Sequence, residues 1–102
     1  MSQKKVKFTK VEREFLDELC YLLDSADVYP EEKKKLIIAK ELFEKGEYFP
    51  NVVRRIEFTF REQALRGGLS PEFNSVYTKI PVILRKTVPL GSNPGIMQVM
   101  PL

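Results

Sequence analysis

Three groups of residues have the types and spacing to do chemistry. Glu14, Asp17 and Glu18 stand three and four positions apart, so a helix would set their carboxylates on one face. Di-metal carboxylate bundles use that spacing, but they also draw on Glu-x-x-His pairs, and this chain has no histidine. Glu14 and Asp17 fall opposite the apolar stripe of their segment, so the group reads as a solvated face. Lys33-Lys34-Lys35 could touch phosphate or anionic lipid. Glu31 and Glu32 precede it directly and cancel part of its field, which leaves an ordinary polar surface as the simpler reading. The third group is Arg54, Arg55, Arg61, Arg66, Lys79, Arg85 and Lys86. Residues 1–51 carry 10 Lys/Arg against 11 Asp/Glu, and residues 52–102 carry 7 against 3, so the net charge of +3 arises in the second half. That polarity is mild beside the dense basic stripe of a nucleic-acid binder.

The missing histidine removes the usual general base, metal ligand and pH switch. With a single cysteine it also excludes a standard zinc site. No catalytic residue, metal or cofactor is assigned, and the chain is expected to bind a partner and not to catalyse a reaction. Cys20 has no second cysteine to pair with, which fits a reducing cytoplasm. Leu19, Leu22 and Leu23 around it suggest a small buried apolar residue. No apolar run approaches the roughly 20 residues of a membrane span. Met1–Lys10 is basic, lacks a following apolar stretch, and is not read as a secretory signal.

These side chains need elements to hold them, and 102 residues at 43% apolar content have room for one domain with one modest core. Thr9-Lys10-Val11-Glu12 reads as a capping box that opens a helix with Val11, Phe15, Leu19 and Leu22/Leu23 as its stripe, fading near residues 25–27. Pro30 opens a second helix, with Glu31 and Glu32 against the positive end of its dipole. Leu36, Ile37, Ala39, Leu42 and Phe43 form its expected buried face, and Gly46 ends it. Pro50 opens a third, with Val52/Val53, Ile56, Phe60 and Ala64 inward and Gly67-Gly68 as the stop. Ser70 caps a fourth, which carries Pro71 at its first position and Phe73, Val76/Tyr77, Ile80 and Ile83/Leu84 as its stripe. Pro81 must end this helix near Lys79 or kink it, since its ring meets the carbonyl of Tyr77. Periodicity resumes beyond it, which favours a kinked helix reaching about Lys86.

Short loops force successive helices antiparallel. The expected fold is all-α, an antiparallel up-down four-helix bundle over about residues 9–86 with a non-helical C-terminal tail over 87–102, all in a single domain. The tail ends in Ile96, Met97, Val99, Met100 and Leu102, apolar and uncharged. It either covers one end of the core or offers adaptable methionine-rich surface to a partner, and both can hold together.

The segments Leu16-Asp17-Glu18-Leu19, Leu42-Phe43-Glu44-Lys45-Gly46, Phe49-Pro50-Asn51-Val52-Val53-Arg54-Arg55-Ile56, Ala64-Leu65-Arg66-Gly67-Gly68-Leu69-Ser70-Pro71 and Val76-Tyr77-Thr78-Lys79-Ile80 occur in an order and spacing that resembles the bacteriocin immunity proteins of the enterocin A immunity type. The resemblance runs from about Val11 to Leu84 and does not extend into the tail. It implies a small cytoplasmic four-helix bundle, at the inner face of the membrane, that protects Gram-positive cells against pediocin-like (class IIa) bacteriocins. The implied partner is a membrane sugar-transport permease of the mannose phosphotransferase class with the bacteriocin docked on it. The family's specificity is attributed to the C-terminal half, which by position points to Lys79, Arg85, Lys86, Ile96, Met97, Val99 and Met100. The basic excess in that half suits the cytoplasmic side of a membrane protein. The alternative is a small nucleic-acid-associated regulator of a phage or mobile element. Against it, Glu47 and Glu57 would face phosphate, and only Gln63 along the third helix is a base-reading residue type.

Overall fold

The computed structural model describes residues 8–87 and 101–102. Five helices follow in order: α1 (Lys10–Asp24), α2 (Pro30–Glu44), α3 (Phe49–Leu65), α4 (Pro71–Tyr77) and α5 (Ile80–Thr87), with no strand among the described residues. Helix α1 packs on α2, α2 on α3, α3 on α5, and both α4 and α5 return to α1. The short connections and this closed order of neighbours make an up-down four-helix bundle whose fourth member is built in two pieces.

Local chemistry sets each boundary. At α1 the Thr9 main-chain N–H donates to Glu12 Oε1 at 2.9 Å, and the Glu12 N–H donates to Thr9 Oγ1 at 3.3 Å, the reciprocal box expected there. Helices α2 and α3 end alike. Gly46 has φ +87° and Gly67 φ +69°, and the two N–H groups after each cap return to carbonyls of the last turn: Gly46 to Phe43, Glu47 to Leu42, Gly67 to Ala64, Gly68 to Gln63. An L side chain at either glycine would be strained.

At Pro81 the expectation of one kinked helix is corrected. Helix α4 stops at Tyr77, Thr78 and Lys79 form a turn, and α5 starts at Ile80. Pro81 thereby falls in the first turn of a new helix, where an absent N–H leaves no hydrogen bond unmade. The Lys79 carbonyl accepts the first bond of α5, from Ile83 N–H at 3.0 Å. The apolar period continues across the break because a two-residue turn holds Val76 and Ile80 on the same side, both buried.

The core gathers Phe15, Leu19 and Leu22 of α1, Leu36, Ala39 and Phe43 of α2, Phe49, Val52, Val53, Ile56 and Phe60 of α3, and Phe73, Val76 and Ile80 of the fourth member. Leu42 packs half-buried against this core, as expected. Two expectations fail at its edge. Ile37 is 48% exposed, because the α2 face is centred on Leu36, Ala39 and Phe43 and residue 37 lies a full 100° step beyond Leu36. Cys20 is exposed and not buried: it follows Leu19 by one step, off the Phe15–Leu19–Leu22 stripe and beside the exposed Tyr21.

Candidate functional site

The residues singled out in the fourth helix occupy two places. Lys79 lies in the turn between α4 and α5, where its Nζ donates to Glu18 Oε1 of α1 at 2.9 Å, so it ties the break in the fourth helix to the first. Arg85 and Lys86 lie exposed in the last turn of α5, at the negative end of its dipole. Neither makes an ion pair within the described residues. At 1.5 Å per residue, Lys79 stands roughly 10 Å along the axis from that pair. Arg85 and Lys86 therefore act together, and Lys79 is a separate point. Ile96, Met97, Val99 and Met100 lie outside the described residues.

Pro101–Leu102 is seated on the seam between α2 and α3. The Leu102 N–H donates to Thr59 Oγ1 at 2.8 Å, and that hydroxyl donates to the Arg55 carbonyl at 2.7 Å. Lys35 Nζ reaches the main-chain oxygen of Leu102 at 3.2 Å, and Arg55 Nη2 reaches that of Pro101 at 3.3 Å. The Leu102 side chain is half-buried against the core. Lys35, the last lysine of the Lys33–Lys35 run, thus holds the chain's own backbone. Pro101 also walls a trough of about 340 Å³ with Phe58, Thr59, Arg61, Glu62 and Leu65.

Arg61 in α3 and Arg66 at its C-cap each pair with the glutamate one turn earlier. Arg61 makes a bidentate pair with Glu57, Nε to Oε2 at 2.8 Å and Nη2 to Oε1 at 2.6 Å, and its guanidinium lies over the Phe58 ring. Arg66 pairs with Glu62 one turn earlier at 2.5 Å. Gln63 donates to the Gly68 carbonyl at 2.9 Å and lies 3.5 Å from Glu32 Oε2, so its amide is occupied in shaping the loop after α3.

Two polar centres went unread in the sequence. Glu32 is fully buried. Its Oε1 accepts from Tyr29 N–H at 3.2 Å and Ser70 Oγ at 2.6 Å, and its Oε2 accepts from Ser70 N–H at 3.0 Å. Ser70 does occupy the N-cap position of α4, but its hydroxyl serves Glu32 and not the helix it precedes. The second centre joins α3 to α4: Tyr77 Oη donates to Glu57 Oε2 at 3.0 Å. The Arg61 guanidinium, helped by that phenol, holds the Glu57 carboxyl below its ordinary value against the opposing effect of partial burial. Burial, with Glu57 accepting its proton, pushes the Tyr77 phenol up to about 12. The Glu57–Arg61 spacing was legible as an i,i+4 pair; the Tyr77 contribution was not.

The carboxylates of α1 divide. Glu14 and Asp17 are exposed, and Glu18 faces Lys79. Among the described residues no group of three or more His, Cys, Asp or Glu side chains is arranged to hold a metal ion. No helix there is long and apolar enough to cross a membrane. Comparison with protein-family models, with curated proteins and with solved structures gives no match to this chain.

Proposed function

We propose that this protein is a bacteriocin immunity protein, a binder without turnover that protects a Gram-positive cell from a pediocin-like peptide. The observation that carries the reading is the architecture: the motif order from Val11 to Leu84 lies on an up-down four-helix bundle, the fold that the resemblance implies. The partner in this proposal is a mannose-type sugar permease with its bacteriocin bound, met from the cytoplasmic side. Arg85 and Lys86 support the assignment, since a pair of exposed cations at one helix end suits the anionic inner face of a membrane. Lys79 is a second, separate point of the proposed contact, at the other end of α5. The tail residues Ile96, Met97, Val99 and Met100 belong to the proposed contact by their position in the C-terminal half, to which the resemblance attributes specificity.

The test is protection. The chain is expressed in a sensitive Gram-positive host and challenged with a panel of pediocin-like bacteriocins. A rise in the inhibitory concentration for one or a few peptides is the expected result. Soluble expression with no protection against a panel that spans the class would overturn the reading. Deleting residues 88–102 is expected to leave a helical, cooperatively melting protein that no longer protects. Full protection by that truncated chain would remove the tail from the site.

A further inference from the structure

A groove of about 410 Å³ runs between α1 and α4, lined by Asp17, Glu18, Tyr21, Leu22, Glu72, Ser75 and Val76. Its character differs from the rest of the surface. Leu22 and Val76 of the core form an apolar floor, and Tyr21, 64% exposed, forms one side. Three carboxylates border it in a chain whose net charge is +3. Lys79 is the one cation paired to a groove residue among the described ion pairs, and it engages only Glu18. Asp17 is exposed and makes none of those ion pairs. Glu72 is half-buried, and its Oε2 is enclosed without a hydrogen-bond partner among the described residues. An enclosed carboxylate oxygen with no donor is uncommon in a folded protein, and its place in the first turn of α4 accounts for its tolerance only in part.

We propose that this groove is a docking site for a basic amphipathic segment of a partner protein, one that sets an apolar side chain on Leu22 and Val76 and a lysine or arginine beside Asp17 and Glu72. Apolar floor and acidic border ask for both halves of such a segment. An acidic or neutral apolar segment would leave the carboxylates facing like charge or no charge, and a free cation would leave the floor uncovered. The site lies on the α1/α4 face, away from Arg85, Lys86 and the seam that holds Leu102. It adjoins the proposed immunity surface at one point, since Lys79 pairs with Glu18 on its border, but peptide binding in the groove and protection of cells are read by separate measurements.

The experiment follows amide shifts of the isotope-labelled full chain during titration with a synthetic amphipathic Leu/Lys peptide, and in parallel with a Leu/Glu peptide of the same length and pattern. The Leu/Lys peptide is expected to give saturable shifts centred on Tyr21, Leu22, Ser75 and Val76. Asp17→Lys, at an exposed position that leaves the fold intact, is expected to weaken it about tenfold, the equivalent of roughly 1.4 kcal/mol. Glu14→Lys, one turn away on α1 but outside the groove, is expected to weaken it less than about twofold through the screened long-range field alone. Any of four results would overturn the proposal: no binding, equal binding of the Leu/Glu peptide, equal weakening by Glu14→Lys, or shifts centred on the Phe58/Leu65 trough. Concentration-dependent shifts at Tyr21 and Val76 without peptide would overturn it too, by making a second copy of this chain the occupant.

Discussion

Helix α2 ends in two buried centres of opposite construction. Near its C-terminus Phe43 meets Phe15 and Phe49, with ring centroids 6.1 and 4.7 Å away, and Phe15 meets Phe49 edge-on at 5.8 Å. Near its N-terminus, three turns earlier, Glu32 is equally buried but surrounded by donors from Tyr29 and Ser70, with Gln63 at the edge of reach. The aromatic centre is held by area and shape, which change by degrees when a side chain changes. The acidic centre is held by directed bonds to Glu32, whose donors among the described residues are main-chain N–H groups, a hydroxyl and, at its edge, the Gln63 amide, at the start of α2. The first should bend under mutation and the second should break.

The largest expected effect tests the apolar half. Ile56, 1% exposed in the middle of α3, lies within the buried apolar cluster. Ile56→Asp is expected to cost about 4 kcal/mol or more, a large part of the 5–15 kcal/mol stability of a domain this size, and to leave the chain largely unfolded by circular dichroism. A cooperative melt at the wild-type temperature would mean that α3 does not bury the face assigned to it.

Conservative substitutions separate the two centres. Phe43→Leu keeps an apolar group of similar reach and is expected to cost about 1–2 kcal/mol in urea denaturation. Glu32→Gln also preserves shape, yet it turns one acceptor oxygen into an amide donor facing groups that themselves donate. It is expected to cost at least about 2 kcal/mol, and Glu32→Ala about 3, because Ser70 and Tyr29 then keep buried N–H and O–H groups without partners. If Glu32→Gln proves the milder of the two conservative changes, directed bonding is not what holds the start of α2.

That contrast also explains what the sequence could and could not disclose. Phe15, Phe43 and Ile56 each belong to a stripe that repeats at helical spacing within its own helix, so the bundle and most of its core are local information summed over each helix. So are Thr9, Pro30, Gly46 and Gly67, whose boundary chemistry works within one or two turns. Glu32 and Ser70 are 38 positions apart, and each has an adequate local reason for being where it is, an acid at a helix start and a serine at a helix cap. Nothing in either neighbourhood discloses that they meet. Pro81 misled through the same locality: periodicity ran through it, and only packing on α1 and α3 decides between a kink and a break. Lys79, Arg85 and Lys86 were marked by a resemblance, and their exposure and separation became readable only in three dimensions.

The Tyr77–Glu57 contact carries the comparison to a half-buried pair. Tyr77→Phe is expected to cost about 1 kcal/mol by removing one bond to a charged acceptor. The pH dependence gives a sharper signature. The phenol's folded value of about 12 lies above its unfolded value near 10, so its contribution is complete below pH 10 and fades as pH rises from there toward 12. Glu57 runs the other way: its folded value is depressed, so its contribution is present above the ordinary carboxylate value and lost as pH falls through the folded one. Tyr77→Phe should erase the alkaline loss and shrink, without abolishing, the acidic one, because Arg61 still holds the carboxylate. An unchanged alkaline limb would place that loss in other groups.

The smallest effect is expected where charges stand in water. Lys79 and Glu18 are 55% and 36% exposed, so a double-mutant cycle with Lys79→Ala and Glu18→Ala should return a coupling of about 0.2–1 kcal/mol, reduced further by salt. Yet this pair lies at the break in the fourth member, in the turn between α4 and α5. A coupling above that range, persisting in high salt, would show that the turn after Tyr77 is held by this ion pair. A coupling near zero would assign that task to the buried Val76 and Ile80 on either side of it, and would mean that here, as in the aromatic centre, apolar area is enough, which leaves the charges above it incidental to the fold and available for a partner.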